Sequence, residues 1–125
     1  AHSGGAAGLI LRHSVGEDEE LAAEESLRVI SEAYRAGRGS LALIACGGVR
    51  TGRDALDRIE AGATAVQVSD LLFSEGLQVC RRIKNELSTV LSNEGYINLQ
   101  DAVGAVHRKQ RKGRRKNLWR TKGSE

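Results

Sequence analysis

Two short apolar runs, Leu41-Ala42-Leu43-Ile44-Ala45-Cys46 and Ala63-Thr64-Ala65-Val66-Gln67-Val68, constrain this chain more than any other feature. The first lies between Gly39 and Gly47-Gly48, and the second follows Gly62. A run that stays apolar at successive positions, without alternation, predicts a strand covered on both faces, as in a parallel sheet. Between the runs, Ala55, Leu56 and Ile59 fall on one helical face, with Thr51 or Gly52 placed to cap the start and Gly62 to end the helix in a left-handed cap. Upstream, Leu21, Leu27, Ile30 and Tyr34 recur at helical spacing over about 17–36, with acidic residues early, where they complement the helix dipole. Downstream, Val79, Ile83, Leu87, Val90 and Leu91 form the inward stripe of a helix over about 78–92, with Arg81, Arg82, Lys84 and Glu86 facing out. Ser3 to Gly8 reads as a small-residue loop. The order helix, strand, helix, strand, helix predicts an α/β fold built from βα units.

Such a segment cannot close on itself. A (β/α)8 barrel needs roughly 250 residues, and this chain has 125. It would leave both sheet edges and much of a two-faced sheet unpaired, so it needs more chain or a partner. Charge divides the sequence again: residues 1–107 hold ten Lys/Arg against fifteen Asp/Glu, and residues 108–125 hold nine against one. We therefore divide the chain into a body, 1–108, and a basic tail, 109–125. The two cysteines, Cys46 and Cys80, have no neighbouring Cys or His at ligand spacing, so neither a disulfide framework nor a metal site is expected. No apolar run reaches the length of a membrane span. Methionine is absent throughout, position 1 included, which fits a processed chain that has lost a targeting segment.

A strand that ends in Gly-Gly and feeds a helix suits a phosphate, because absent Cβ atoms let backbone N–H groups approach the anion. Gly47-Gly48 has that place, and Ser69-Asp70 follows the second strand. The same glycines could serve only a tight turn. Cys80 is expected to be packing, His107 to be structural, and His2 and His13 to lie outside any ligand cluster.

From Ser3 to Arg108 the chain resembles the C-terminal portion of class 2 dihydroorotate dehydrogenase, the quinone-linked enzyme of pyrimidine synthesis. Five collinear stretches carry the resemblance: Gly4-Gly5-Ala6-Ala7-Gly8, Ile44-Ala45-Cys46-Gly47-Gly48-Val49, Gly52-Arg53-Asp54-Ala55-Leu56, Ala61-Gly62-Ala63-Thr64-Ala65-Val66-Gln67, and Asp101-Ala102-Val103-Gly104-Ala105-Val106-His107-Arg108. The resemblance implies a partial (β/α)8 barrel and FMN positions at Ala7, Gly8, Cys46, Gly47, Gly48, Val68, Ser69 and Asp70. It also implies that the family's serine base, flavin-side lysine and orotate-binding asparagines lie earlier than this chain, which leaves it no catalytic residue.

Three departures bear on the flavin. Asp70 stands where the family has Thr or Ser, Ala7 where it has Ser, and its prolines are missing. The first reading is accordingly a non-catalytic structural subunit, without FMN, of a larger mitochondrial assembly, with the ribosome favoured by the tail. The second is the C-terminal piece of a split or longer FMN-dependent dihydroorotate dehydrogenase. In the tail, Arg108, Lys109, Arg111, Lys112, Arg114, Arg115, Lys116, Trp119 and Arg120 suit contact with RNA, with another protein or lipid surface, or with no fixed partner.

Overall fold

A computed structural model describes residues 4–12 and 19–122, with side chains as far as Arg114 in the last helix. His2 and His13, and the side chains of Arg115, Lys116, Trp119 and Arg120, lie outside the described residues. The chain folds as β1 (Gly8–Arg12), α1 (Glu19–Ala36), β2 (Ala42–Cys46), α2 (Gly52–Ala61), β3 (Ala65–Gln67), α3 (Leu72–Glu75), α4 (Gln78–Asn93), α5 (Leu99–Ala102) and α6 (Ala105–Lys122). The three strands form one parallel sheet in the order β1-β2-β3. The α/β class and the strands β2 and β3 match the sequence expectation. Strand β1 is an addition, and α6 runs unbroken across the boundary drawn at 108.

Helices cover one face of the sheet. Leu43 and Ala45 of β2 are buried there, and Leu11 and Val66 pack beside them against Ile30 of α1 and Ala61 and Ala63 of the α2–β3 corner. Two further clusters join α2 to its other neighbours. Ala55 meets Val49, Val79 and Ile83, while Leu56 and Ile59 meet Ala102 and the partly buried Leu87, Val90 and Leu91. Complete burial of Leu56 and Ile59 makes α2 the centre of the molecule, where truncation to Ala costs about 2–5 kcal/mol.

The opposite face is open. The register places Ile10, Ile44 and Ala65 in one row and Arg12, Cys46 and Gln67 in the next. Ile10 is 61% exposed, and Ala42, Ala65 and Gln67 are exposed as well. Burial on both faces is thus corrected to burial on one, because the described residues bring helices to one side only. Two single residues also depart from expectation. Leu21 is 64% exposed, since the buried face of α1 runs instead through Ser26 and Ile30. Cys80 is exposed, because it lies one position past the buried Val79 and so about 100° round the helix.

The α2–β3 corner depends on Gly62. Its φ of 135° lies where side chains are disfavoured, and a Cβ there would come within 2.5 Å of the Tyr34 Cβ. The Gly62 amide donates to the carbonyls of Arg58 and Ile59, which closes the end of α2. Gly62→Ala should therefore combine backbone strain with a clash and cost roughly 3 kcal/mol, read as a lower urea midpoint at unchanged slope.

Candidate functional site

The carboxyl ends of β2 and β3 bring Gly47-Gly48 and Ser69-Asp70 together. Gly47 and Gly48 have φ values of 98° and 68°, so two successive residues take a conformation that glycine adopts freely. Their carbonyls turn inward to Arg58, which reaches back from α2. Arg58 Nη2 donates to Gly47 O at 3.3 Å and Gly48 O at 3.2 Å, and Nη1 donates to Asp54 O at 3.0 Å. With the carbonyls held inward, the Gly48 amide is left toward the mouth of the site. Arg58 is only 3% exposed, its Nε finds no partner among the described residues, and burial lowers its pKa. A buried guanidinium is costly unless its hydrogen bonds are satisfied, so this one is committed to holding the loop.

The anion facing that amide belongs to the chain itself. Gly48 N donates to Asp70 Oδ2 at 3.4 Å, and Ser69 Oγ lies 3.3 Å from Asp70 Oδ1. The start of α2 is likewise occupied. Asp54 Oδ2 accepts from the amides of Arg50 and Thr51, Thr51 Oγ1 accepts from Asp54 N, and Glu86 Oε2 accepts from Gly52 N at 2.9 Å. This capping box at Thr51 satisfies the helix with its own carboxylates.

The residues assigned to the flavin from sequence are only partly brought together. Cys46, Gly47 and Gly48 end β2, Val68 packs beside Val49, and Ser69 and Asp70 close the same corner. Ala7 and Gly8 do not join them. Gly8 pairs with Ala42, at the amino end of β2, and Ala7 O accepts from Ala42 N. Four strand steps of roughly 3.3 Å separate that level from Cys46, so about 13 Å lies between the two groups. Pairing Gly8 with Ala42 in parallel leaves everything before Gly8 at the far end. Arg12 takes the place instead, in register with Cys46. Arg12 and Arg58 are the site residues that sequence reasoning missed. A cation at the end of an apolar run was the signal for Arg12; nothing at the sequence level singles out Arg58 from other helix cations.

The tail residues also divide. Arg108 donates to the carbonyls of Val103 and Asp101, and Lys109 Nζ lies 3.6 Å from the buried Glu60 and over the Tyr96 ring. These two side chains tie the start of α6 to the body while remaining exposed. Arg111, Lys112 and Arg114 are exposed. His107 is held structurally: its ring stacks on Tyr34 at 4.6 Å, and Nε2 donates to Ala61 O at 2.7 Å. Among the described residues no group of His, Cys, Asp and Glu could hold a metal ion, and no helix is long and apolar enough to cross a membrane.

The geometry defines a parallel α/β protein with a glycine turn at the carboxyl edge of its sheet. Residues 20–91 match the family model described as dihydroorotate dehydrogenase. A mouse protein named mitochondrial dihydroorotate dehydrogenase (quinone) is 39% identical over 84 residues, 67% of this chain and 21% of that one. A relative from Streptococcus pyogenes named for the fumarate-linked enzyme is 38% identical over 76 residues, 61% of this chain and 24% of that one. A crystal structure of dihydroorotate dehydrogenase from Eimeria tenella in complex with ferulenol superposes with a TM-score of 0.75 at 35% identity, over 86% of this chain and 33% of that one. The chain belongs to the dihydroorotate dehydrogenase family, and it spans about a fifth to a third of the length of these relatives.

The junction of α2 and α4 supplies a pH test. Glu86 accepts from Gly52 N and pairs with Arg82 Nη1 at 2.6 Å, and these contacts, the Gly52 amide first, hold its carboxyl below the usual range. A depressed carboxyl stabilises the fold above its unfolded pKa, about 4.3, and that contribution is lost as pH falls through the folded value. Glu86→Gln keeps an acceptor for Gly52 but no longer titrates. The variant should therefore show a flatter loss of stability on acidification from pH 5 than the parent, measured by urea unfolding across that range.

Proposed function

We propose that the chain is the C-terminal segment of a dihydroorotate dehydrogenase of the quinone-linked class, working as part of a (β/α)8 barrel that oxidises dihydroorotate to orotate in pyrimidine synthesis. The observation that carries this reading is the family match over 20–91 in a chain whose sheet has one covered and one open face. In such a barrel the open face, with Ile10, Ile44 and Ala65, would line the interior, and strands from the rest of the protein would pair with both edges. The quinone-linked class rests on likeness to relatives bearing that name, and a mitochondrial location on those named as mitochondrial, such as the mouse protein. The relatives carry the name of an enzyme, which favours this reading over a ribosomal or other structural subunit.

FMN, as the family's flavin, fits the residues in part. The Gly47-Gly48 turn has the form of a phosphate cradle, and Gly48 N would donate to the anion. The Asp70 carboxylate does not fit, since it holds that donor and would repel a phosphate dianion. At about 4 Å such a repulsion is on the order of 4 kcal/mol per charge pair near a protein surface. Flavin would bind through this corner only after Asp70 turns away.

Two measurements check the reading. Co-expression of this chain with the preceding part of a family barrel should give a yellow complex that forms orotate; a colourless, inactive complex would sink the proposal in favour of a structural subunit. In the same complex Asp70→Thr should tighten FMN at least tenfold, about 1.4 kcal/mol, by equilibrium dialysis. An unchanged affinity would show that Asp70 does not oppose the phosphate.

A further inference from the structure

The cluster least accounted for by the family fold lies at the other end of α2, about 15 Å from its first turn. Arg35 in the last turn of α1 and His107, Gln110, Arg111 and Arg114 on α6 surround a cleft of about 330 Å³. Arg35, Arg111 and Arg114 are exposed, and none makes an ion pair among the described residues. Arg28, Arg53 and Arg82, in contrast, each pair with carboxylates. Three unpaired guanidinium groups round one cleft repel each other and favour an anion between them. A helix C-terminus explains one of them at most, because Arg111 and Arg114 stand in the middle of α6.

We propose that this cleft is a phosphate-binding site for a nucleic-acid strand, with α6 carrying the strand onward. Beyond Arg108 and Lys109, which are fastened to the body, positions 110–122 hold seven Lys/Arg and no Asp or Glu. That density exceeds what one small phosphate compound needs, and it suits a polymer with regularly spaced charges. The sequence also argues against a lipid surface. From His107 to Asn117 there is no apolar residue, so this stretch of α6 has no face to bury among acyl chains, and Leu118 and Trp119 come only near the helix end. Arginine forks, in contrast, match phosphate oxygens without apolar help. Recognition is then of the backbone, without base sequence. The inference stands independently of the enzymatic reading, since the cleft and the glycine turn lie at opposite ends of α2.

The test is fluorescence anisotropy with the full chain and a labelled single-stranded RNA of mixed sequence, about twenty nucleotides long. Binding should be micromolar at low salt and weaken linearly on a log–log salt plot. Arg35→Gln, Arg111→Gln and Arg114→Gln together should weaken binding at least tenfold and lower the salt slope by about two, at ~0.7 per phosphate contact. A control with equal charge loss away from the cleft, Arg28→Gln, Arg81→Gln and Lys84→Gln, should bind within about twofold of the parent. Circular dichroism of both variants should match the parent; if the triple variant unfolds, each single change should still reduce the slope. The proposal is overturned by an absence of binding at 100 µM, near the weak end of non-specific affinity. It is equally overturned by the same loss in the control, or by tighter capture on phosphatidylserine vesicles than on RNA.

Discussion

A parallel sheet has two apolar faces to cover, and the helices described in this chain cover one. That imbalance organises the molecule. Leu43 and Ala45 are sealed beneath α1 and the α2–β3 corner, while Ile10, Ala42 and Ala65, a few ångströms away through the same strands, stand in the open. The cost of an exposed apolar row at roughly 25 cal/mol per Å² is removed only when something packs on it. Family membership supplies a consistent account, because relatives roughly three times as long carry the same segment within a larger whole.

Helix α2 is the element through which the covered side communicates, and it does so with buried charge as well as with Leu56 and Ile59. Arg58 points to the Gly47-Gly48 carbonyls, while Glu60, also buried, points the other way to Tyr96, Lys109 and Arg53. Burial and the hydrogen bond to Glu60 raise the pKa of Tyr96, which keeps its hydroxyl proton available to donate. Removing either buried charge would strand its partners in a poorly solvated place, the circumstance in which ionic contacts matter most. One short helix thus fixes the glycine turn at its start and docks α6 at its end.

Much of this was legible in the residues. The run Leu41–Cys46, the Thr51 cap, the Ala55/Leu56/Ile59 face and the Gly62 stop all follow from local rules, and the structure has them at those places. The corner at the carboxyl ends of β2 and β3 was legible as a glycine turn followed, after the next strand, by Ser69-Asp70. The rest was hidden for identifiable reasons. Strand β1 has five residues and begins at a glycine, too little for periodicity to distinguish from a loop. Its placement decides which end of the sheet Ala7 and Gly8 occupy, and that is a question of register, which sequence leaves open. The helical form of the tail was hidden because α6 carries no apolar stripe past Val106; among the described residues its ties to the body are at its start, through Ala105, His107, Arg108 and Lys109.

The glycine turn and the arginine cleft treat anions in opposite ways. At the turn the chain has supplied its own, since Asp70 faces the Gly48 amide and Asp54 and Glu86 occupy the amides of α2. At the cleft it has supplied none among the described residues, and Arg35, Arg111 and Arg114 line it together. A donor already satisfied from within gains only the difference between two acceptors when a ligand arrives, whereas unsatisfied like charges gain relief of repulsion as well. On the proposal above, external phosphate would therefore be drawn to the cleft before the turn. Asp70, Asp54 and Glu86 together make the turn the weaker of the two places for an incoming anion.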